Sequence, residues 1–215
     1  GELSSNPVTL EQRLVTANQL VVTTKAENDK QQAALKVAQD AVKKVKADLD
    51  TANKTISTLQ AKEKTLAASM KTYAGQIKTY TAEQAAAAKT VAALAKVVPL
   101  LKETADKAKA TAAKASGDKE LAALATNLKA VYDKRNGVLL SARKTNEVKT
   151  KALTKSKADL ATAQKEDKAA KAGLVATKKR AEALTKAMKP AGEKLAATQK
   201  VAATASEKFA AANKS

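Results

Sequence analysis

From Leu10 to Leu101 apolar and polar positions recur with a seven-residue period that is almost unbroken. One column reads Leu14, Val21, Asn28, Leu35, Val42, Leu49, Ile56, Glu63, Met70, Ile77, Gln84, Val91 and Val98. A second, three residues on, holds Leu10, Ala17, Thr24, Gln31, Ala38, Val45, Ala52, Leu59, Leu66, Tyr73, Tyr80, Ala87, Leu94 and Leu101. These are a and d positions sustained over about thirteen heptads, the signature of a left-handed coiled coil. Past Ser116-Gly117-Asp118 a new pair of columns begins. One holds Tyr132, Leu139, Asn146, Leu153, Leu160, Asp167 and Leu174, and continues to Phe209; its mate holds Leu121, Leu128, Arg135, Ala142, Lys149 and Ser156, and continues to Ala205.

Gly117 is placed to end the first helix in a left-handed conformation, and Asp118 to N-cap the next. The pattern therefore predicts an all-α fold, a long antiparallel coiled-coil helical hairpin. Residues 1–5 form a disordered start, 6–115 the first arm, 116–118 the turn and 119–215 the second arm. Asn6-Pro7 is the expected helix start. Pro99 and Pro190 are expected kinks, and Pro99 is also a place where the chain could turn. Folding back at Ser116-Gly117 brings together residues whose numbers total about 233, and the two sets of columns mesh at that value. Ile77 then faces Ser156, Leu59 faces Leu174, Leu94 faces Leu139, and Val98 faces Arg135. Large side chains repeatedly meet Ala, which suits close packing of two helices. At 1.5 Å per residue, arms of roughly 100 residues would reach about 150 Å. So thin a core would be covered further by pairing two hairpins into a four-helix assembly.

Composition sharpens this reading. The 215 residues are 44% hydrophobic but only 2% aromatic, too few large side chains for a compact core of that size. Cys and His are both absent, which removes the usual transition-metal ligands, the commonest general base and every Cys-His or Ser-His-Asp arrangement. No phosphate-cradling Gly-rich loop or nucleophile elbow occurs. The expectation is a protein that is not an enzyme and takes no cofactor or metal. No run of eighteen apolar residues occurs, so no transmembrane segment is expected, and residues 1–5 carry no signal-peptide pattern.

The net charge is +19, from 40 basic and 21 acidic residues. Lys134, Arg135, Arg143, Lys144, Lys149, Lys151, Lys155 and Lys157 are concentrated in the second arm with Glu147 among them. They are the candidate polyanion-binding residues, for nucleic acid, anionic lipid or acidic polysaccharide. The stretch lacks the Arg bias and stacking aromatics of a nucleic-acid reader, so a solvated Lys face that keeps the chain soluble is the simpler reading. Polar residues inside the columns, among them Gln84, Asn146, Lys149, Glu63 and Asp167, are expected to fix register. Thr9, Thr16, Thr23, Thr51, Thr58, Thr65, Thr72 and Thr79 share one heptad position beside d. A flank that tolerates Thr explains them better than an ice-binding ladder, whose usual spacing is eleven.

Ala187-Met188-Lys189-Pro190-Ala191-Gly192-Glu193-Lys194-Leu195-Ala196-Ala197 resembles the Ala/Lys-rich coiled-coil segments of large secreted planctomycete proteins that carry c-type cytochrome and WD40-like domains. The motif covers about a dozen residues; the rest of the chain is similar in composition only. In that family the coiled coil is a spacer or assembly element, so the resemblance implies a periplasmic or secreted structural segment. No Cys-x-x-Cys-His occurs in this chain, so no haem role is implied. The functional expectation is a coiled-coil spacer, stalk or scaffold that mediates self-association or docking in a larger assembly, with polyanion binding as the alternative.

Overall fold

The computed structural model describes residues 9–214. Two α-helices account for nearly all of them: α1 over Leu10–Lys114 and α2 over Lys119–Lys214, packed antiparallel as a coiled-coil hairpin. The expected start at Asn6-Pro7 and the expected disorder of residues 1–5 lie outside the described residues. Where the description begins, Thr9 and Gln12 form a capping box. The Gln12 N–H donates to Thr9 Oγ1 and the Thr9 N–H donates to Gln12 Oε1, both at 3.2 Å. Two otherwise unpaired donors of the first turn are thereby satisfied.

At the other end of α1 the structure corrects the sequence reading. No described residue has a positive φ, so Gly117 does not adopt the left-handed cap. Two i→i+3 bonds make the turn instead: the Ala115 N–H donates to the Ala112 carbonyl at 3.2 Å, and the Asp118 N–H to the Ala115 carbonyl at 2.9 Å. Tightening the last turn in this way satisfies terminal carbonyls without reversing the backbone's hand. Asp118 does cap α2, its Oδ1 accepting from the Glu120 and Leu121 N–H groups at 3.0 and 3.2 Å. Both prolines lie inside continuous helices, so the chain does not turn at Pro99. Each removes one ladder donor, from the carbonyls of Ala95 and Lys186.

The chain divides into two units, one of residues 1–61 with 171–215 and one of 62–170. In the first, Ala38 and Ala52 of α1 and Ala202, Ala205 and Ala212 of α2 are buried. Gln32 Nε2 reaches the Ala202 carbonyl at 3.4 Å. A Cβ added at Gly173 would lie 3.3 Å from Leu59 Cδ1, so glycine here lets α2 approach the Leu59 side chain closely. In the second unit, Leu66, Ala87, Val98 and Ala105 of α1 and Leu139, Ala163 and Ala170 of α2 are buried, as are Ser156 and Asp167. Nine of these twelve buried apolar residues are Ala and no side chain is fully enclosed. That is the mark of a two-helix seam, where Cβ groups meet in the middle and longer side chains reach out to the edges. All four aromatic residues, Tyr73, Tyr80, Tyr132 and Phe209, are half-buried at such positions.

Facing residues within each unit carry numbers totalling close to 232: Gln76 with Ser156, Glu83 with Lys149, and Leu59 with Gly173. The columns expected to line the seam do so over most of both helices. Two places depart. Leu10 and Leu14 are 77% and 59% exposed. Arg135 is exposed and Asn136 is half-buried in its stead. Val98 is therefore buried without Arg135 opposite it; the column steps one residue between Tyr132 and Leu139, which keeps a guanidinium out of an apolar layer.

Candidate functional site

Side chains longer than Ala tie the seam of the 62–170 unit together through a set of polar contacts. Gln84 Nε2 donates to Asn146 Oδ1 at 3.0 Å, and Ser156 Oγ to Gln76 Oε1 at 3.1 Å. Lys149 forms an ion pair with Glu83 across the helices, and its Nζ lies 5.3 Å from the centre of the Tyr80 ring. The hydrogen bond that the Lys149 ammonium donates to Glu83 holds its pKa above the ordinary lysine range; partial desolvation opposes this, and the charges of Glu83 and Tyr80 add to it. Each of these pairs is directional, so a slip of one residue breaks them together. They are register pins of the kind polar a and d residues supply.

The eight sequence-selected cations are not one uniform surface. Lys149 is drawn into the seam. Lys151 and Lys155 pair along their own helix with Glu147 at 3.1 Å and Asp159 at 2.8 Å. The contact with Asp159 raises the Lys155 ammonium above its ordinary value. Lys134, Arg135, Arg143, Lys144 and Lys157 are exposed. They lie on several sides of α2, because 134, 135, 143 and 144 occupy four different heptad positions and only 157 repeats that of 143. The structure thus brings Lys149 to Tyr80 and Glu83 and leaves the other cations distributed around the helix.

The Thr column has a local explanation. Thr16, Thr51, Thr58 and Thr72 each donate their hydroxyl to the carbonyl four residues earlier, at 2.9–3.2 Å. The hydroxyl proton is thereby used within the helix, which leaves the methyl as the distinctive outward group.

Sequence reading missed a second apolar stripe. Leu124, Val131 and Val138 of α2 are 50%, 46% and 40% exposed, spaced by seven at the position just before a; Val97, 44% exposed, holds the same position on α1. The spacing was visible, but eclipsed by the stronger a and d columns. On the same edge lies an open groove of about 660 Å³, floored by Ala86, Ala87, Gly137 and Ala142, with Thr90 and Ser141 at its sides. It contains Glu83 and Lys134 but no constellation of nucleophile and base. No group of three potential metal-ligating side chains gathers among the described residues. By length and composition alone, α1 includes a stretch apolar enough to cross a membrane, although it holds no uninterrupted run of eighteen apolar residues.

No protein-family model matches the chain, and no curated protein does. Among solved structures, a coiled-coil segment of Pyrococcus yayanosii Smc is similar over 93% of this chain and 94% of that one, at 15% sequence identity and a TM-score of 0.47.

Proposed function

We propose that this chain is a structural coiled-coil hairpin, a spacer or scaffold whose working property is the register between its two helices. The observation that carries the reading is that helices of 105 and 96 residues are matched by directional cross-helix pairs. Polar groups at such positions lower stability relative to apolar ones and are useful where alignment matters. In this reading the a and d residues of the apolar stretch of α1 pack against α2. The Ala187–Ala197 resemblance supports placing this spacer outside the cytoplasm, next to domains with other tasks.

The matching test removes whole heptads. Deleting residues 43–49 together with 183–189 takes one facing heptad from each helix and should leave a cooperatively melting hairpin. Deleting 43–49 alone forces a seven-residue mismatch and should lower the melting temperature markedly. Equal tolerance of the two deletions would show that register is not what the chain is built to hold.

Polyanion binding is the second reading, favoured by five cations in the stretch 134–157 that are exposed. If these five neutralise five phosphates of duplex DNA, the slope of log affinity against log salt should be about −4.5. A slope near zero removes that reading.

A further inference from the structure

The exposed stripe of Leu124, Val131, Val138 and Val97 is spare in the hairpin, since both helices already bury their a and d columns against each other. Its period decides what can cover it. A seven-residue stripe stays in line along a left-handed supercoil and drifts around a straight helix by roughly 20° per heptad. A partner that follows it must wind in the same sense with the same repeat. A second hairpin of this sequence meets that requirement.

The stripe is also complementary to itself. A two-fold axis at the level of Val131 places Val131 opposite its own copy and Leu124 opposite Val138. Val138 lies in the groove bordered by Gly137, Ser141, Ala86 and Ala87. The bulky end of the stripe on each copy therefore meets the small-residue end on the other, the arrangement an isologous contact requires. The stripe runs beside the existing seam, so the new contact would continue the same apolar layer. The four stripe residues keep 40–50% of their surface exposed in the hairpin.

We propose that this edge of the 62–170 unit is a self-association face, joining two hairpins about a two-fold axis near Val131. The proposal rests on the hairpin reading above and adds its partner. Each copy brings a charge of +19, so screening by salt should favour the pair.

The test is the mass of the full chain by light scattering and sedimentation equilibrium, at about 0.05 and 0.5 M salt. Twice 22.4 kDa is expected at high salt, with partial dissociation at low salt. Val131→Lys should weaken the pair at least tenfold, while Leu140→Lys, at a 55% exposed apolar position off the stripe, should leave it unchanged. Because the chain has no Cys, Val131→Cys provides a second readout. On the two-fold axis its backbone must come within about 7 Å of its mate to be bridged. Oxidised glutathione should then link the two copies, with Leu140→Cys as the unlinked control. A monomeric mass at both salts, a dimer indifferent to Val131→Lys, or equal cross-linking at 131 and 140 would each overturn the proposal. All three leave the hairpin standing, because the matched-heptad deletion reads that separately.

Discussion

Leu139 and Leu140 are neighbours of the same type with opposite surroundings. Leu139 is 3% exposed in the seam and Leu140 is 55% exposed. Replacing Leu139 with Ala removes most of a buried isobutyl group from a layer where few other large side chains are buried. Leu→Ala at enclosed sites costs about 2–5 kcal/mol, the spread depending on how far the surroundings collapse. A seam open along both edges readmits water and closes readily, which places Leu139→Ala near about 2–3 kcal/mol. For a chain of this length each kcal/mol moves the midpoint by about 2–4 °C, so a drop of roughly 5–10 °C is expected. Leu140→Ala should stay within about 0.5 kcal/mol, as exposed positions usually do. Thermal and urea melts followed by far-UV circular dichroism read both. Equal shifts for the two variants, or a loss under about 1 kcal/mol for Leu139→Ala, would refute the seam as the source of stability.

The turn offers a contrast of its own. Asp118→Ala should cost about 1 kcal/mol by removing the α2 cap, whereas Gly117→Ala should be neutral or slightly stabilising, since its φ is not positive and a Cβ there meets nothing within 4 Å; strong destabilisation of Gly117→Ala in the same melts would restore the left-handed cap. The Lys149 contact sets an alkaline dependence. Its folded pKa lies above the ordinary lysine value of 10.5, so its contribution is complete below that value and is lost as pH rises through the higher folded one. Melts between pH 9 and 12 should therefore lose less with Glu83→Gln, which leaves Lys149 and Tyr80 in place; an unchanged pH profile would mean that the pair contributes nothing.

The fold was legible because a and d columns are a direct record of one seam, and the facing number of about 233 came within three residues of the pairs observed. What stayed hidden has local causes. The one-residue step at Arg135 and Asn136 depends on which of two adjacent polar side chains is cheaper to expose, and heptad counting assigns both the same weight. Gly117 was read as a left-handed cap because glycine permits that conformation, but permission is not use, and i→i+3 bonds closed the turn first. The Thr9–Gln12 capping box was present as T-x-x-Q and was outweighed by Asn6-Pro7. The basic stretch looked continuous because Lys149 was counted with its sequence neighbours and not with Glu83, 66 positions away. The stripe at Leu124, Val131 and Val138 has the same period as the core, and only its exposure separates the two.

The most direct test of the account is the spacing between helices, measured by pulsed electron spin resonance on paired spin labels in a chain that has no Cys of its own. Labels at Lys78 and Thr154, both exposed and in register, should lie within about 30 Å, given helix axes about 8–10 Å apart. Moving the second label to Lys168 displaces it by fourteen residues, about 21 Å along the helix, and the distance should lengthen accordingly. Dilution with unlabelled chain keeps both distances intramolecular. A short Lys78–Thr154 distance with a longer Lys78–Lys168 distance is the predicted result; equal distances, or the reverse order, would contradict the antiparallel register on which the structural role depends.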